Sequence, residues 1–190
     1  MAASWSMEST TPPGYPTELV SDMVLIDGRR VRIRPILPDD AAQLAEAIAQ
    51  TDEETLRLRF LGWHPNMDAA MLRHLVEVDY QLRLALVALD SGSHGVGIAR
   101  YEGVEGDDCA EVAVAVSRDW RRVGLGSGLF LLLAQAAIAR GIRRFRALYL
   151  VENEEVARLL RSSQLPSRST VSKGVVETEL DLVAPPHPSA

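Results

Sequence analysis

The chain has 190 residues, is 47% apolar and carries a net charge of -6, which allows one domain with its own core and excludes global disorder. No run reaches the roughly 18 to 20 apolar residues of a membrane span, so a soluble protein with no membrane partner is expected. The acidic balance argues against general nucleic-acid binding, which needs a basic stripe, and the single cysteine, Cys109, excludes an internal disulfide and a thiolate metal site.

Residues 1–22 read as a flexible tail, with Pro12-Pro13 and no apolar period. Met1 to Pro16 has Glu8 before any basic residue and no apolar stretch, so it is not a secretory signal, and a cytoplasmic location is expected. Order is expected to begin near Val24, in a domain spanning 23–182. Val24 to Ile26, the turn pair Asp27-Gly28, and the alternating Val31 and Ile33 read as a hairpin, ended by Pro35 and Pro38. Asp39 or Asp40 then caps a helix running through Gln50. A second helix is expected from about Glu53 to Phe60, and a third after Asp68, with Met71, Leu72, Leu75 and Val76 on one core-facing stripe.

Leu84 to Leu89 reads as a strand, Asp90 to His94 as a polar turn and Val96 to Tyr101 as the returning strand. Ala110 to Val116 is a further strand. A buried helix runs from about Gly126, through the apolar block Leu129 to Ile138, and ends before Gly141. Phe145 to Val151 is a strand, Glu154 to Arg161 a short helix, and Thr170 to Leu182 holds two β segments meeting near Lys173-Gly174. The last eight residues, 183–190, with their prolines, read as a second tail. Short turns join the strands up to Val116, whereas the helix from Gly126 is a crossover between two strands, so one parallel pair is expected in a largely antiparallel sheet.

Between that strand and helix lies Arg121-Arg122-Val123-Gly124-Leu125-Gly126-Ser127-Gly128. Glycines let consecutive backbone N–H groups converge, and a helix start adds partial positive charge, so the natural guest is an anion such as a phosphate. The two arginines and the Ser127 hydroxyl offer further hydrogen bonds. A dinucleotide-binding fingerprint fails because Leu129 stands where its third glycine belongs and the sheet upstream is antiparallel. A Walker loop fails because the segment has no lysine.

The spacing Arg-x-x-Gly-x-Gly, met by Arg121, Gly124 and Gly126 after a valine-rich strand, resembles the pyrophosphate motif of the GNAT superfamily of N-acyltransferases. Arg32-Ile33-Arg34-Pro35 with Pro38-Asp39-Asp40 looks like that family's opening strand and helix, and Asn153 opens a helix after a strand as in its second CoA motif. The resemblance spans roughly Val24 to Leu182. It implies an α+β, three-layer fold: a mixed, mostly antiparallel sheet flanked by helices, with its one parallel pair at the CoA site. Arg57-Leu58-Arg59-Phe60, Ala110-Glu111-Val112-Ala113 and the segment around Asn153 look like the catalytic domain of Pat-type protein lysine acetyltransferases of actinobacteria. Such enzymes often carry an added effector-binding domain, for which this chain has no room.

The resemblance implies acetyl-CoA as co-substrate, held by Val114, Ala115 and Val116 of the strand, by Arg121, Arg122, Val123, Gly124, Leu125, Gly126 and Ser127 of the loop, and by Asn153. Asn153 is equally an ordinary helix cap. A lysine amine, with a reference pKa of about 10.4, must lose a proton before it attacks a thioester. Glu111, at the start of the strand leading into the loop, is the candidate base through the Pat-type pattern; without that pattern it reads as a solvated strand end. Period-2 geometry puts Glu111, Ala113 and Ala115 on one face. Backbone groups near Val114 to Val116 are expected to hold the pantetheine, and an N–H there to face the oxyanion.

The tyrosine that many GNAT enzymes use as general acid is replaced by Leu160, with Tyr149 a weak substitute, and Gln164-Leu165-Pro166 stands where a Gly-Phe pair is usual. His64, His74, His94 and His187 lack a ligand spacing, so no metal is expected. Cys109 lies two residues from Glu111 but is read as a packing residue, and Glu105, Asp107 and Asp108 as a solvated loop. The leading expectation is transfer of acetyl to an amine, foremost a protein lysine, by a monomer or homodimer. A small-molecule amine or amino-acid acceptor and a non-catalytic CoA-binding regulatory protein are the alternatives.

Overall fold

A computed structural model describes residues 11–62 and 67–183. His64 and His187, and the expected tails over residues 1–10 and 184–190, lie outside the described residues. The strands are β1 (Ser21–Val24), β2 (Arg30–Pro35), β3 (Arg83–Leu89), β4 (Gly95–Gly103), β5 (Cys109–Val116), β6 (Arg144–Leu150), β7 (Ser167–Ser172) and β8 (Val175–Asp181). They form one sheet in the order β1-β2-β3-β4-β5-β6-β8-β7, antiparallel throughout except for the β5–β6 pair. The expected GNAT arrangement, mixed and largely antiparallel with one parallel pair beside the crossover helix, is what forms.

The helices are α1 (Ala41–Ala49), α2 (Glu53–Arg59), α3 (Ala69–Val76), α4 (Leu125–Ala139) and α5 (Glu154–Ser162). The sheet is covered on both faces, which explains why β3 is apolar without alternation. Its Leu84, Leu86 and Ala88 join the larger core with Leu129, Phe130 and Leu133 of α4, while Ala85, Val87 and Leu89 join a smaller core with Leu44 of α1 and Val76 of α3. In the larger core the Phe145 ring lies 6.0 Å from that of Tyr101 and 5.9 Å from that of Phe130. Next to the edge strand β7, β8 alternates, with Val176, Thr178 and Leu180 buried and Glu177 and Glu179 exposed, because only one of its faces meets a core.

Three local features depart from the sequence reading. Order begins before Val24: Thr17–Leu19 forms a 3₁₀ turn, Ser21–Val24 is strand, the Tyr15 hydroxyl donates to Pro35 O at 3.1 Å, and its ring meets Tyr80 edge-on at 5.5 Å. A segment without apolar period is thus anchored by one aromatic side chain. The first hairpin turns over Leu25–Arg29 rather than on Asp27-Gly28 alone, closed by the Leu25 N–H bonding Arg29 O at 2.8 Å. Asp40 precedes α1, yet its side chain bonds no N–H of that helix. Its carboxylate instead takes a bidentate pair from Arg34, both contacts at 2.7 Å, and accepts from the Leu37 N–H at 2.7 Å. A buried guanidinium outcompetes helix amides for the same oxygens, because leaving that charge unpaired costs far more than leaving a helix end to water.

Candidate functional site

Strands β5 and β6 are paired only through Cys109↔Arg144, Ala110↔Phe145 and Glu111↔Arg146, although β5 continues to Val116 and β6 to Leu150. Beyond Glu111 each strand stays with its outer neighbour, β5 with β4 and β6 with β8, and the two part. The gap is a cavity of about 390 Å³, with Val112–Val116 on one wall and Ala147, Leu148 and Tyr149 on the other. The Ser117 N–H bonds Val96 O on the β4 side, whereas Val116 O accepts from Arg121 Nε at 3.0 Å. Strand alternation therefore turns the backbone groups of Val114 and Val116 toward the opening. An interior sheet edge left open by design is a place for an extended ligand to add itself.

One end of the gap is the start of α4. Gly124 precedes the helix in the left-handed region, φ 89°, and Arg122 shares that region at φ 61°. The first amide of this turn to find an intrahelical acceptor is that of Gly128, which bonds Gly124 O at 2.9 Å, so the N–H groups of Leu125, Gly126 and Ser127 sit at the helix start as an anion cradle. The β1–β2 turn props the loop from outside: the Ile26 N–H bonds Val123 O at 3.1 Å, Arg29 Nη2 donates to Asp119 O at 2.9 Å, and the Arg29 guanidinium stacks 4.0 Å from the Trp120 ring. A side chain at Gly128 would meet the flexible end of the Met23 side chain of β1, which would have to move aside.

Of the residues singled out from the sequence, Val114, Ala115, Val116, Arg121, Arg122, Gly124, Gly126, Ser127 and Asn153 line the cavity. The Val123 and Leu125 side chains do not; Leu125 is fully buried in the core and offers only its backbone. Arg121 is already engaged by the protein, since beyond Val116 O it donates to Thr55 Oγ1 at 2.9 Å and pairs with Glu155 Oε2 at 3.2 Å. It lashes α2 and α5 to the end of β5. Asn153 is buried and caps α5, accepting from the Val156 N–H at 3.2 Å while lining the cavity. Both of its readings are geometrically compatible.

Glu111 is exposed at the last rung before the strands part, level with Glu102 on β4 and Arg146 on β6. Its face of β5 also carries Ala113 and Ala115, level with Arg100 and Ile98 of β4. Behind that face a second cavity of about 360 Å³ lies under α1 and α2, and Thr55, Arg59, Ala115, Val116 and Arg121 border both spaces. Leu160 of α5 fills the floor of the first cavity, and the Tyr149 hydroxyl faces Thr178 Oγ1 at 3.3 Å. Cys109 is half-buried, and burial pushes its thiol up, away from reactivity. Asp107 and Asp108 of the acidic loop are drawn to Arg144, at 3.9 and 2.7 Å. Among the described residues no group of three or more His, Cys, Asp or Glu is placed to hold a metal ion.

Thr55, Arg59, Leu148 and Arg158 were not anticipated as cleft residues. Thr55 and Arg59 share one face of α2 a single turn apart, a spacing present in the sequence but without meaning until α2 is known to roof the gap. Arg57 of the same helix fixes that placement by pairing with Glu152 in the β6–α5 loop at 2.6 Å.

Residues 30–164 match the family model described as an acetyltransferase (GNAT) domain. An acetyltransferase of Pseudomonas aeruginosa is 34% identical over 132 residues, covering 68% of this chain and 69% of its own. The acetyltransferase Pat of Mycolicibacterium smegmatis is 34% identical over 154 residues, covering 79% of this chain but only 45% of its own. The crystallised GNAT domain of Streptomyces lividans PAT superposes with a TM-score of 0.81 at 30% identity, over 88% of this chain and 99% of that one. No described helix is long and apolar enough to cross a membrane.

Proposed function

Because the chain belongs to the GNAT acetyltransferase family, we propose that it transfers acetyl from acetyl-CoA to a primary amine, foremost a lysine side chain of a protein, with Glu111 as general base. The observation that carries this reading is the parting of β5 and β6 beside the α4 N-terminus. Pyrophosphate suits the amides of Leu125 to Ser127 and the helix dipole. Pantetheine then runs along the open edge of β5, hydrogen-bonding as an added strand would to Val114 and Val116. That route delivers the thioester toward the rung where the strands close, beside Glu111.

The amine nitrogen attacks the thioester carbonyl carbon, forming a C–N bond as the carbonyl becomes an oxyanion; collapse breaks the C–S bond and releases CoA thiolate. Glu111, directly or through one water, takes the proton that frees the amine for attack, and the second N–H proton, lost from the tetrahedral adduct, passes to solvent. A backbone N–H of the β5 edge stabilises the oxyanion, and the thiolate leaves without a side-chain donor, since Leu160 is apolar. The chain spans about half the length of the mycobacterial Pat, and lysine as acceptor rests on likeness to the Pat domains. Glu111→Gln is expected to lower turnover by about 10²- to 10⁴-fold with acetyl-CoA affinity unchanged by calorimetry. Wild-type turnover in that variant, read by lysine-acetyl mass spectrometry on a lysate, removes Glu111 from the chemistry.

A further inference from the structure

The half-buried guanidinium of Arg59 has no hydrogen-bond or ion-pair partner among the described residues. Every other arginine tucked into the interior does: Arg34 holds Asp40, Arg100 holds Glu102, Arg121 holds Thr55 and Glu155, and Arg140 bonds Tyr80 O at 2.6 Å. Arg59 meets only the ring of Phe60, 5.2 Å away. Burial, followed by repulsion from Arg100, lowers its pKa to about 10, so it remains charged at neutral pH; Glu111 and Glu102 attract it, but neither forms an ion pair with it. A charge left in a partly dry site without a partner is expensive, and a cavity wall is where such a charge meets a guest.

Its position says which part of the guest. Thr55, one turn earlier on α2, bonds Arg121 near the α4 end, where the pyrophosphate belongs. Arg59 lies a turn further on, bordering both cavities and within electrostatic reach of Glu111. We propose that Arg59 forms a carboxylate-binding subsite at the reacting end of the cleft. It rests on the acyltransferase reading above and narrows its substrates: the carboxylate comes from the acyl chain of a dicarboxylic acyl-CoA or from the acceptor. Arg59 offers the planar fork that matches a carboxylate, and Arg100, behind it, is occupied by Glu102.

The test compares ligands differing only in that group. Succinyl-CoA is titrated against butyryl-CoA by calorimetry, and free lysine against lysine amide into the CoA-loaded protein by NMR, with wild type, Arg59→Met and Arg59→Lys. The carboxylate ligand of one pair is expected to bind at least roughly tenfold more tightly than its neutral counterpart. The first pair assigns the subsite to the acyl chain, the second to the acceptor. That ratio collapses toward one in Arg59→Met and is only partly restored in Arg59→Lys, which keeps the charge but loses the fork. No preference in either pair, or one that survives Arg59→Met, overturns the subsite. CoA binding without a preference leaves the acyltransferase reading standing; failure of every CoA ester to bind overturns both.

Discussion

On the β5 and α4 side of the cleft, the groups turned toward the opening are backbone amides and carbonyls of Val114, Val116 and Leu125 to Ser127. On the α2 side they are side chains, Thr55, Arg59 and Arg121, which Thr55 holds. In the proposed function the first wall meets what every acyl-CoA shares, a pyrophosphate and a chain of amides, and backbone geometry suffices for it. The second wall, in the same proposal, faces what differs between substrates. It rests on a helix of seven residues held by its Asp52 cap and by Arg57 bridging to Glu152, a lighter construction than the buried core behind α4.

Four changes break or sharpen that contrast. Gly124→Val with Gly126→Val attacks the backbone wall directly: the first is strained at φ 89° and crowds Ile26, and the second puts a side chain toward Val116 at the helix start. Acetyl-CoA binding is expected to fall below detection by calorimetry while the circular dichroism spectrum persists. Asp40→Ala, remote from both walls, removes the buried carboxylate that pairs with the Arg34 guanidinium and is expected to lower unfolding free energy by about 3–5 kcal/mol in denaturant titration, with acetyl-CoA affinity preserved in the folded fraction.

Val114→Ala removes a side chain but not the amide, so stability drops by about 1 kcal/mol and affinity for acetyl-CoA changes by less than roughly threefold; a large affinity loss would mean that the first wall reads side chains after all. The smallest effect is expected from Asp52→Ala, about 0.5–1 kcal/mol through the α2 cap. The Thr55 hydroxyl, followed by its N–H, holds the Asp52 carboxyl below the usual range. A depressed folded-state pKa contributes stability that is present above the unfolded value, about 4, and lost as pH falls through the folded one. The Tm gap between wild type and Asp52→Ala therefore narrows below pH about 4.

The backbone wall was legible in the sequence because its causes are local. Glycines at 124 and 126 act within one turn, and the crossover from Val116 to Phe145 dictates a parallel pair by chain connectivity alone. The buried helix α4 followed from its continuous apolar block, Leu129 to Ile138, for the same reason. What escaped depends on partners distant in the chain: that β5 and β6 separate after three rungs, that Arg121 is bound to Thr55 66 residues away, that Asp40 serves Arg34 rather than α1, and that Tyr15 pins a polar segment to β2. Arg59 was visible only as one letter of a Pat-like pattern, since nothing near it in sequence marks a cation without a partner.

The most direct test is site-resolved amide hydrogen exchange, with and without acetyl-CoA. Added protection at Val114, Val116 and Leu125 to Ser127, with little change in β7 and β8, is the result this account predicts. Binding that protects other amides and leaves those five exchanging as before would contradict it.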